Sequence, residues 1–359
     1  MQALPNITFG FLKVLTKVLA AALFWAALAW APVLPSLAAA AEDAKQSPVN
    51  PLRSVVGIRA KIPADARTAR FLGPEREGSG VVIDANGLVL TIGYLILQAT
   101  SAEVIGPDKV PVPAAVVGYD HDTGFGLLRA ARPLDIPPIE LGDSADLIPG
   151  TPALAVSFEG TRPMVGVRIA EQRTFAGYWE YLLEDAIFTM PPHRQYGGAA
   201  LIGRDGKLLG IGSLFVNDAV RRDTPAPGNM FVPINSLKPI LMDLLKHGRP
   251  AKPARPWLGT RVDDASGRVV VISVSPGGPA DEAGIHPADV ILGVAGRRVN
   301  SLEEFYRRAW AQGEAGTTVA LDLVRPDKGT LEIETVMVKS TSRYQWLNLN
   351  RETDQEQIK

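Results

Sequence analysis

From Ser54 onward, short runs of branched apolar residues alternate with turn residues. "SVVGIRA" is followed by "GSGVVIDANGLVLTIGYLI", where Ala85-Asn86-Gly87 separates two apolar runs as a hairpin turn does. Further runs stand in "AAVVGYD", "GLLRA", "TPALAVSF", "MVGVRIA" and "AALIGRDGKLLGIGSLFV", the last carrying a second hairpin turn at Arg204-Asp205-Gly206. Short strands at this spacing predict a mainly β fold with sandwich or barrel packing. The first helical pattern is "INSLKPILMDLLKHG", which puts Ile240, Leu241, Leu244 and Leu245 on one face and Gly248 past its end as a stop. Prolines and charges crowd "RPAKPARP", residues 249–256, and mark a linker. A second module opens at Trp257, where Ser301 and Glu304 form a capping box ahead of an amphipathic helix carrying Leu302, Phe305 and Ala309 on one side. The tail, 341–359, is polar and frayed, with "YQWLNL" the stretch able to dock.

Composition narrows the class. A chain of 359 residues that is 46% hydrophobic and 21% charged has room for two packed domains, and 34 Gly and 29 Pro suit many turns. A net charge of -1 with no basic cluster beside aromatics argues against nucleic acid. With no cysteine there is neither a disulfide nor a thiolate site, and the four histidines, His121, His193, His247 and His286, show no metal-ligand spacing. No metal and no cofactor are expected. At the N-terminus, Lys13 and Lys17 precede an apolar run from Val18 to Ala31 and then small residues to Ala41. Residues 1–41 read as an export signal, either cleaved or kept as an anchor, followed by a linker over 42–53.

The stretches "GSGVVIDANGLVLT", "LGDSADLIPGTPALAVS", "GKLLGIGSLF", "FVPINSLKPIL" and "SPGGPADEAGIHPADVILGVAGRRV" occur in order and at workable spacing. Together they resemble the HtrA/Deg family, which implies a trypsin-like double β-barrel over 54–248 and a PDZ domain of α+β type over 257–340. The resemblance puts Tyr94 where the family has its catalytic histidine, Gly124 where it has the aspartate, and Tyr196, before two glycines, where it has the serine. Arg194 stands where a glycine helps to form the oxyanion hole. A phenol with an ordinary pKa near 10 is a poor base at neutral pH, and Gly124 has nothing with which to orient one. A bulky residue at positive φ is strained, so the loop around Arg194 is expected to have rearranged.

From these substitutions no catalytic residue and no enzyme activity are expected. Tyr94 and Tyr196 are expected to meet and, by stacking, to seal the cleft, a shallow pocket being the alternative. His193, three residues before Tyr196, is read as a solvent-facing loop residue, the alternative being a partner for that phenol. The PDZ resemblance implies a groove for peptides or protein C-termini, with Trp257, Leu258, Gly259 and Thr260 presenting backbone N–H groups to a carboxylate. Leu302, Phe305 and Tyr306 are candidates for its apolar pocket, Leu302 and Phe305 equally for the core. The expectation is a non-catalytic, HtrA/DegP-like periplasmic protein, inner-membrane anchored if the signal is kept, that acts as an adaptor, chaperone-like or regulatory subunit in protein quality control. A homo-trimer or a mixed oligomer with an active relative is its implied assembly. Two alternatives stand: an active serine-type endopeptidase with a non-standard site, and a structural scaffold with an unused PDZ groove.

Overall fold

A computed structural model describes residues 51–221, 225–326 and 332–348. The export segment and most of the linker read at the N-terminus lie outside the described residues. Among the described residues, no helix is long and apolar enough to cross a membrane.

Twelve strands close into two six-stranded barrels. In the first, β1 (Val55–Lys61), β2 (Glu75–Val82), β3 (Leu88–Ile92), β4 (Ser101–Ile105), β5 (Pro111–Tyr119) and β6 (Phe125–Ala130) pair in the order β1-β2-β3-β6-β5-β4. The turn between β2 and β3 forms because the Asp84 carboxylate accepts from the N–H groups of Asn86 and Leu88 while Gly87 takes a left-handed φ of 75°. Arg129 closes over the same carboxylate at 2.7 Å.

The second barrel is built from β7 (Pro152–Val156), β8 (Met164–Gly177), β9 (Tyr181–Met190), β10 (Ala200–Ile202), β11 (Leu208–Val216) and β12 (Gly228–Pro233), in the order β10-β11-β12-β9-β8-β7. Its two longest strands, β8 and β9, pair from Arg168↔Met190 to Gly177↔Tyr181 and form a hairpin that runs well past the neighbouring strands. Bulges at Ile169/Glu171 and Arg173/Phe175 bend it. The closing helix, Leu241–His247, buries Leu244, leaves Leu245 exposed and ends at Gly248 with φ 71°.

The barrels meet at a point that only glycine permits. Ser79 N–H donates to the Gly197 carbonyl at 2.9 Å, and a Cβ built on Gly198, whose φ is 74°, would lie 1.8 Å from the Ser79 carbonyl oxygen. The "GG" after Tyr196 is therefore fixed by inter-barrel packing, whatever residue precedes it.

The remaining strands, β13 (Thr260–Asp263), β14 (Val269–Val274), β15 (Val290–Val294), β16 (Arg297–Arg298), β17 (Thr318–Val324) and β18 (Glu334–Lys339), form one sheet, ordered β13-β14-β15-β17-β18 with β16 on β15. The expected helix spans Leu302–Trp310, with the Ser301 hydroxyl accepting from Glu304 N–H. The reciprocal bond of the capping box goes one residue further back, from Asn300 N–H to the Glu304 carboxylate at 2.9 Å. Part of the tail is not frayed: Arg343–Trp346 is helical, Tyr344 and Leu347 are buried, and the Trp346 ring packs 5.0 Å from Trp257.

Candidate functional site

Two regions carry the candidate residues: the cleft between the barrels and the groove of the smaller domain. In the cleft, Tyr94 sits in a 3-10 turn, Gly93–Leu95, directly after β3. The buried Arg76 guanidinium fixes this turn by donating to the Tyr94 carbonyl at 2.6 Å and the Leu97 carbonyl at 3.0 Å. The Tyr94 hydroxyl donates to the Ser213 carbonyl at 3.0 Å and would lie 2.9 Å from a Cβ on Gly197. Burial first, and the Tyr196 phenol second, push its pKa above the ordinary tyrosine value, which keeps it protonated.

Gly124 has φ 86° and is held by its N–H donating to the Asp120 carbonyl at 2.8 Å. The Tyr181 hydroxyl, which donates to the Thr123 carbonyl at 2.6 Å, lies 3.5 Å from the point a Cβ on Gly124 would occupy. A phenol from β9 thus fills part of the space beside this glycine.

Two expectations for the cleft need correction. Tyr94 and Tyr196 are brought together but do not seal the site: both line a cavity of about 590 Å³ with Ile92, Phe125, Trp179 and Tyr181. The Tyr94 hydroxyl is committed to the Ser213 carbonyl. Arg194 is exposed and is not among the residues with positive φ, so the strain a bulky residue would carry there is avoided. His193 does not face solvent. Only 1% exposed, it is anchored through its backbone, its N–H donating to Asn229 Oδ1 at 2.6 Å and its carbonyl accepting from Asn229 Nδ2 at 3.1 Å. Among the described residues, neither ring nitrogen has a hydrogen-bond partner, and burial lowers the imidazole pKa, so the ring is neutral at pH 7.

Of the other three histidines, His121 borders the same cavity as Tyr94 and Tyr196, whereas His247 and His286 do not. His121 packs 4.4 Å from the Tyr344 ring, its Nε2 sealed from solvent and its pKa well below the ordinary value through burial. His247 ends the closing helix, and His286 N–H is bound by Asp289 in a turn of the smaller domain. A larger, polar cleft of about 1350 Å³ runs along the linker, where Asp122 bridges Lys252 at 2.7 Å and Arg255 at 3.2 Å; neither Tyr94 nor Tyr196 borders it.

In the groove, Gly259 takes a left-handed φ of 82°, turning the backbone so that the N–H groups of Leu258 and Thr260 point the same way. They converge on a carboxylate. The acceptor is Glu180, at the tip of the β8–β9 hairpin: Oε2 accepts from Leu258 N–H at 2.9 Å, and Oε1 accepts from Thr260 N–H at 2.7 Å and the Thr260 hydroxyl at 3.1 Å. Burial raises the Glu180 pKa, against the pull of these donors and of the nearby Arg343 charge. The tip also pairs with β13, Val262 N–H donating to the Tyr178 carbonyl at 3.0 Å. The Tyr306 hydroxyl donates to the Gly177 carbonyl at 2.7 Å and accepts from Glu180 N–H at 3.2 Å.

Leu258, Leu302, Phe305 and Tyr306 share one apolar cluster with Leu182 of the hairpin, and Trp257 is buried beside Trp346. The structure brings the groove residues together, and with them a segment that the sequence reading passed over. Residues 171–190 carry no short turn dipeptide such as Asn-Gly, and Glu180 in sequence is one charge among many.

The described strands, two closed barrels followed by a small sheet with a capped helix, define a trypsin-like fold joined to a PDZ domain, as expected from the sequence. Residues 78–211 match the model of the trypsin-like peptidase domain, and residues 256–337 match that of the PDZ domain. In carrying these two domains in this order, the chain is similar to serine proteases of the HtrA/DegP type. It is 28% identical over 285 residues to the periplasmic pH-dependent serine endoprotease DegQ of Escherichia coli, covering 74% of this chain and 60% of DegQ. It is 27% identical over 337 residues to the serine protease PepD of Mycobacterium tuberculosis, covering 86% of this chain and 72% of PepD. A solved structure of a variant of the HtrA-type protease AlgW with a tripeptide superposes with a TM-score of 0.51 at 20% identity, covering 82% of this chain and 96% of that one. The chain thus spans about 60% of the length of DegQ.

These comparisons correct the expectation that the protein is not an enzyme. Its relatives are named serine endoproteases, so the similarity points to a protease. The argument from Tyr94, Gly124, Tyr196 and Arg194 took His193 to face solvent, whereas its imidazole is buried and neutral.

Proposed function

We propose that the chain is a polypeptide-handling protein of the HtrA/DegP type that recognises C-termini at its PDZ groove and belongs by reaction class with the serine endopeptidases. The observation that carries recognition is the pair of N–H groups of Leu258 and Thr260 converging on one carboxylate while Val262 N–H pairs with the backbone carbonyl of Tyr178. Donors aimed in this way suit a chain end laid along β13. A fluorescein-labelled decapeptide with a free C-terminal carboxylate is expected to bind saturably, and its C-terminal amide to bind at least about tenfold more weakly, as loss of a charge-assisted pair implies. Equal binding of the two peptides would overturn this reading.

The names of the relatives support peptide-bond hydrolysis as the reaction. Hydrolysis in this cleft has to use a non-standard site, because the three family positions supply no imidazole. His193 is the imidazole on the loop that carries Tyr196, and burial keeps it in the neutral form that a general base needs. Casein is expected to be cleaved by the purified full chain, with turnover falling at least about tenfold in His193→Gln, the lower range for loss of a general base. Unchanged turnover in the variant would move the base elsewhere, and no turnover by the unaltered chain would overturn the hydrolytic reading.

The periplasm is the proposed location, supported by the export-like pattern of residues 1–41 and by the periplasmic name of DegQ. Cell fractionation tests it, recovery in the cytosol being the contrary result.

A further inference from the structure

A peptide C-terminus added to a PDZ sheet needs three things at once: a carboxylate on the loop donors, a backbone carbonyl paired with the strand, and an apolar side chain in the pocket. The β8–β9 tip supplies all three. Glu180 gives the carboxylate to Leu258 and Thr260, Tyr178 gives the carbonyl to Val262, and Leu182 lies within the apolar cluster of the PDZ domain. The spacing agrees as well. Thr260 and Val262 are two residues apart, as are Glu180 and Tyr178 in the hairpin turn, and their contacts run in opposite order along the two segments, as those of an added antiparallel strand would.

The tip is held from its other side too. Tyr306, on the helix that forms the second wall, clamps Gly177 and Glu180, and Arg307 of the same helix bridges Glu184 at 2.6 Å. Glu180 keeps a left-handed φ of 56°, a conformation that disfavours a side chain and that these contacts maintain. Glu180 is buried, only 8% exposed, so no second carboxylate reaches the loop donors while it is bound.

We propose that residues 177–182 are an intramolecular surrogate of the PDZ ligand, and that the groove takes a polypeptide ending in an aliphatic residue only by displacing them. This rests on the reading of the groove as a C-terminus site. The aliphatic class follows from Leu182, whose side chain a ligand would have to replace. The affinity seen from outside is then the intrinsic affinity reduced by the fraction of molecules whose tip is out of the groove.

The test uses the full chain and a fluorescein-labelled decapeptide ending in leucine, as the free acid and as the amide, titrated by anisotropy. Glu180→Gln keeps the shape and removes the charge, and it is expected to bind the free acid about tenfold more tightly than the unaltered chain does, because the competent fraction rises. Tyr306→Phe releases the clamp on the tip while leaving the loop donors alone, and is expected to tighten binding by about threefold on the same ground; it stands in if the glutamine variant does not fold. Equal affinities in all three proteins, with the acid still preferred over the amide, would overturn the surrogate and leave the groove reading intact. No preference for the acid in any of the three would overturn the groove reading, and the surrogate with it.

Discussion

The glycines of the inter-barrel cleft and the glycine of the PDZ loop do similar backbone work in two sites that differ in what they hold. Gly197 and Gly198 let the barrels approach and make room for a phenol, while Gly259 turns two N–H groups toward one acceptor. In the cleft, the backbone keeps a cavity of about 590 Å³ lined mainly by aromatic and apolar groups. In the groove, the donors are in place and another part of the same chain occupies them. The difference shows that residue identity and site state are separate questions. A contact between domains closes the groove.

Four measurements sharpen that contrast. The largest effect is expected at the cleft backbone: Gly198→Ala places a methyl 1.8 Å from the Ser79 carbonyl oxygen at φ 74°, and should cost more than about 4 kcal/mol in denaturant unfolding or prevent folding. A stable Gly198→Ala protein would show that the glycine pair is not fixed by packing. Next, Leu182→Ala removes a buried side chain shared by hairpin and groove and should cost about 2–4 kcal/mol. A change within 0.5 kcal/mol, the scatter of ordinary surface substitutions at roughly that size, would mean that the tip is not packed there.

Tyr94→Phe, in contrast, removes one hydrogen bond to the Ser213 carbonyl and should cost about 1 kcal/mol without altering peptide binding at the groove. The smallest effect is one of pH. Burial holds His121 below the ordinary value of 6.5, so the unfolded chain takes up a proton that the folded chain refuses. Stability from this group is complete above pH 6.5 and declines as the pH falls below it. His193 acts in the same direction, its pKa also lowered by burial, whereas Asp120 and Glu180, whose carboxyls are raised by burial, act in the opposite one. Urea midpoints at pH 7.5 and 5.5 should therefore differ less in His121→Phe than in the unaltered chain, and an equal difference would show that His121 is not buried as a neutral ring.

Much of the architecture was legible in the sequence because its signals are local. Asp84 to Gly87 and Asp205-Gly206 fold back on themselves, Ser301 caps its own helix, and Gly248 ends the helix before it. The family resemblance added the order of the domains. What was not legible depends on distant partners. Nothing near Glu180 announces that its acceptors will meet donors 78 and 80 residues away, and the hairpin carrying it has bulges and left-handed residues in place of a short glycine turn. His193 was misplaced for the same reason: a polar residue in a loop is expected outside, and only the clasp with Asn229, 36 residues on, carries it inward. The expected stack of Tyr94 on Tyr196 overlooked the Ser213 carbonyl, a backbone acceptor that sequence does not display.

Hydrogen exchange across residues 177–182, with and without saturating leucine-ending peptide, asks directly whether the groove is closed by the chain itself. The account predicts that the protected Glu180 amide, bonded to the Tyr306 hydroxyl, exchanges faster once the peptide is bound. Saturable peptide binding with unchanged protection across the hairpin tip would contradict it.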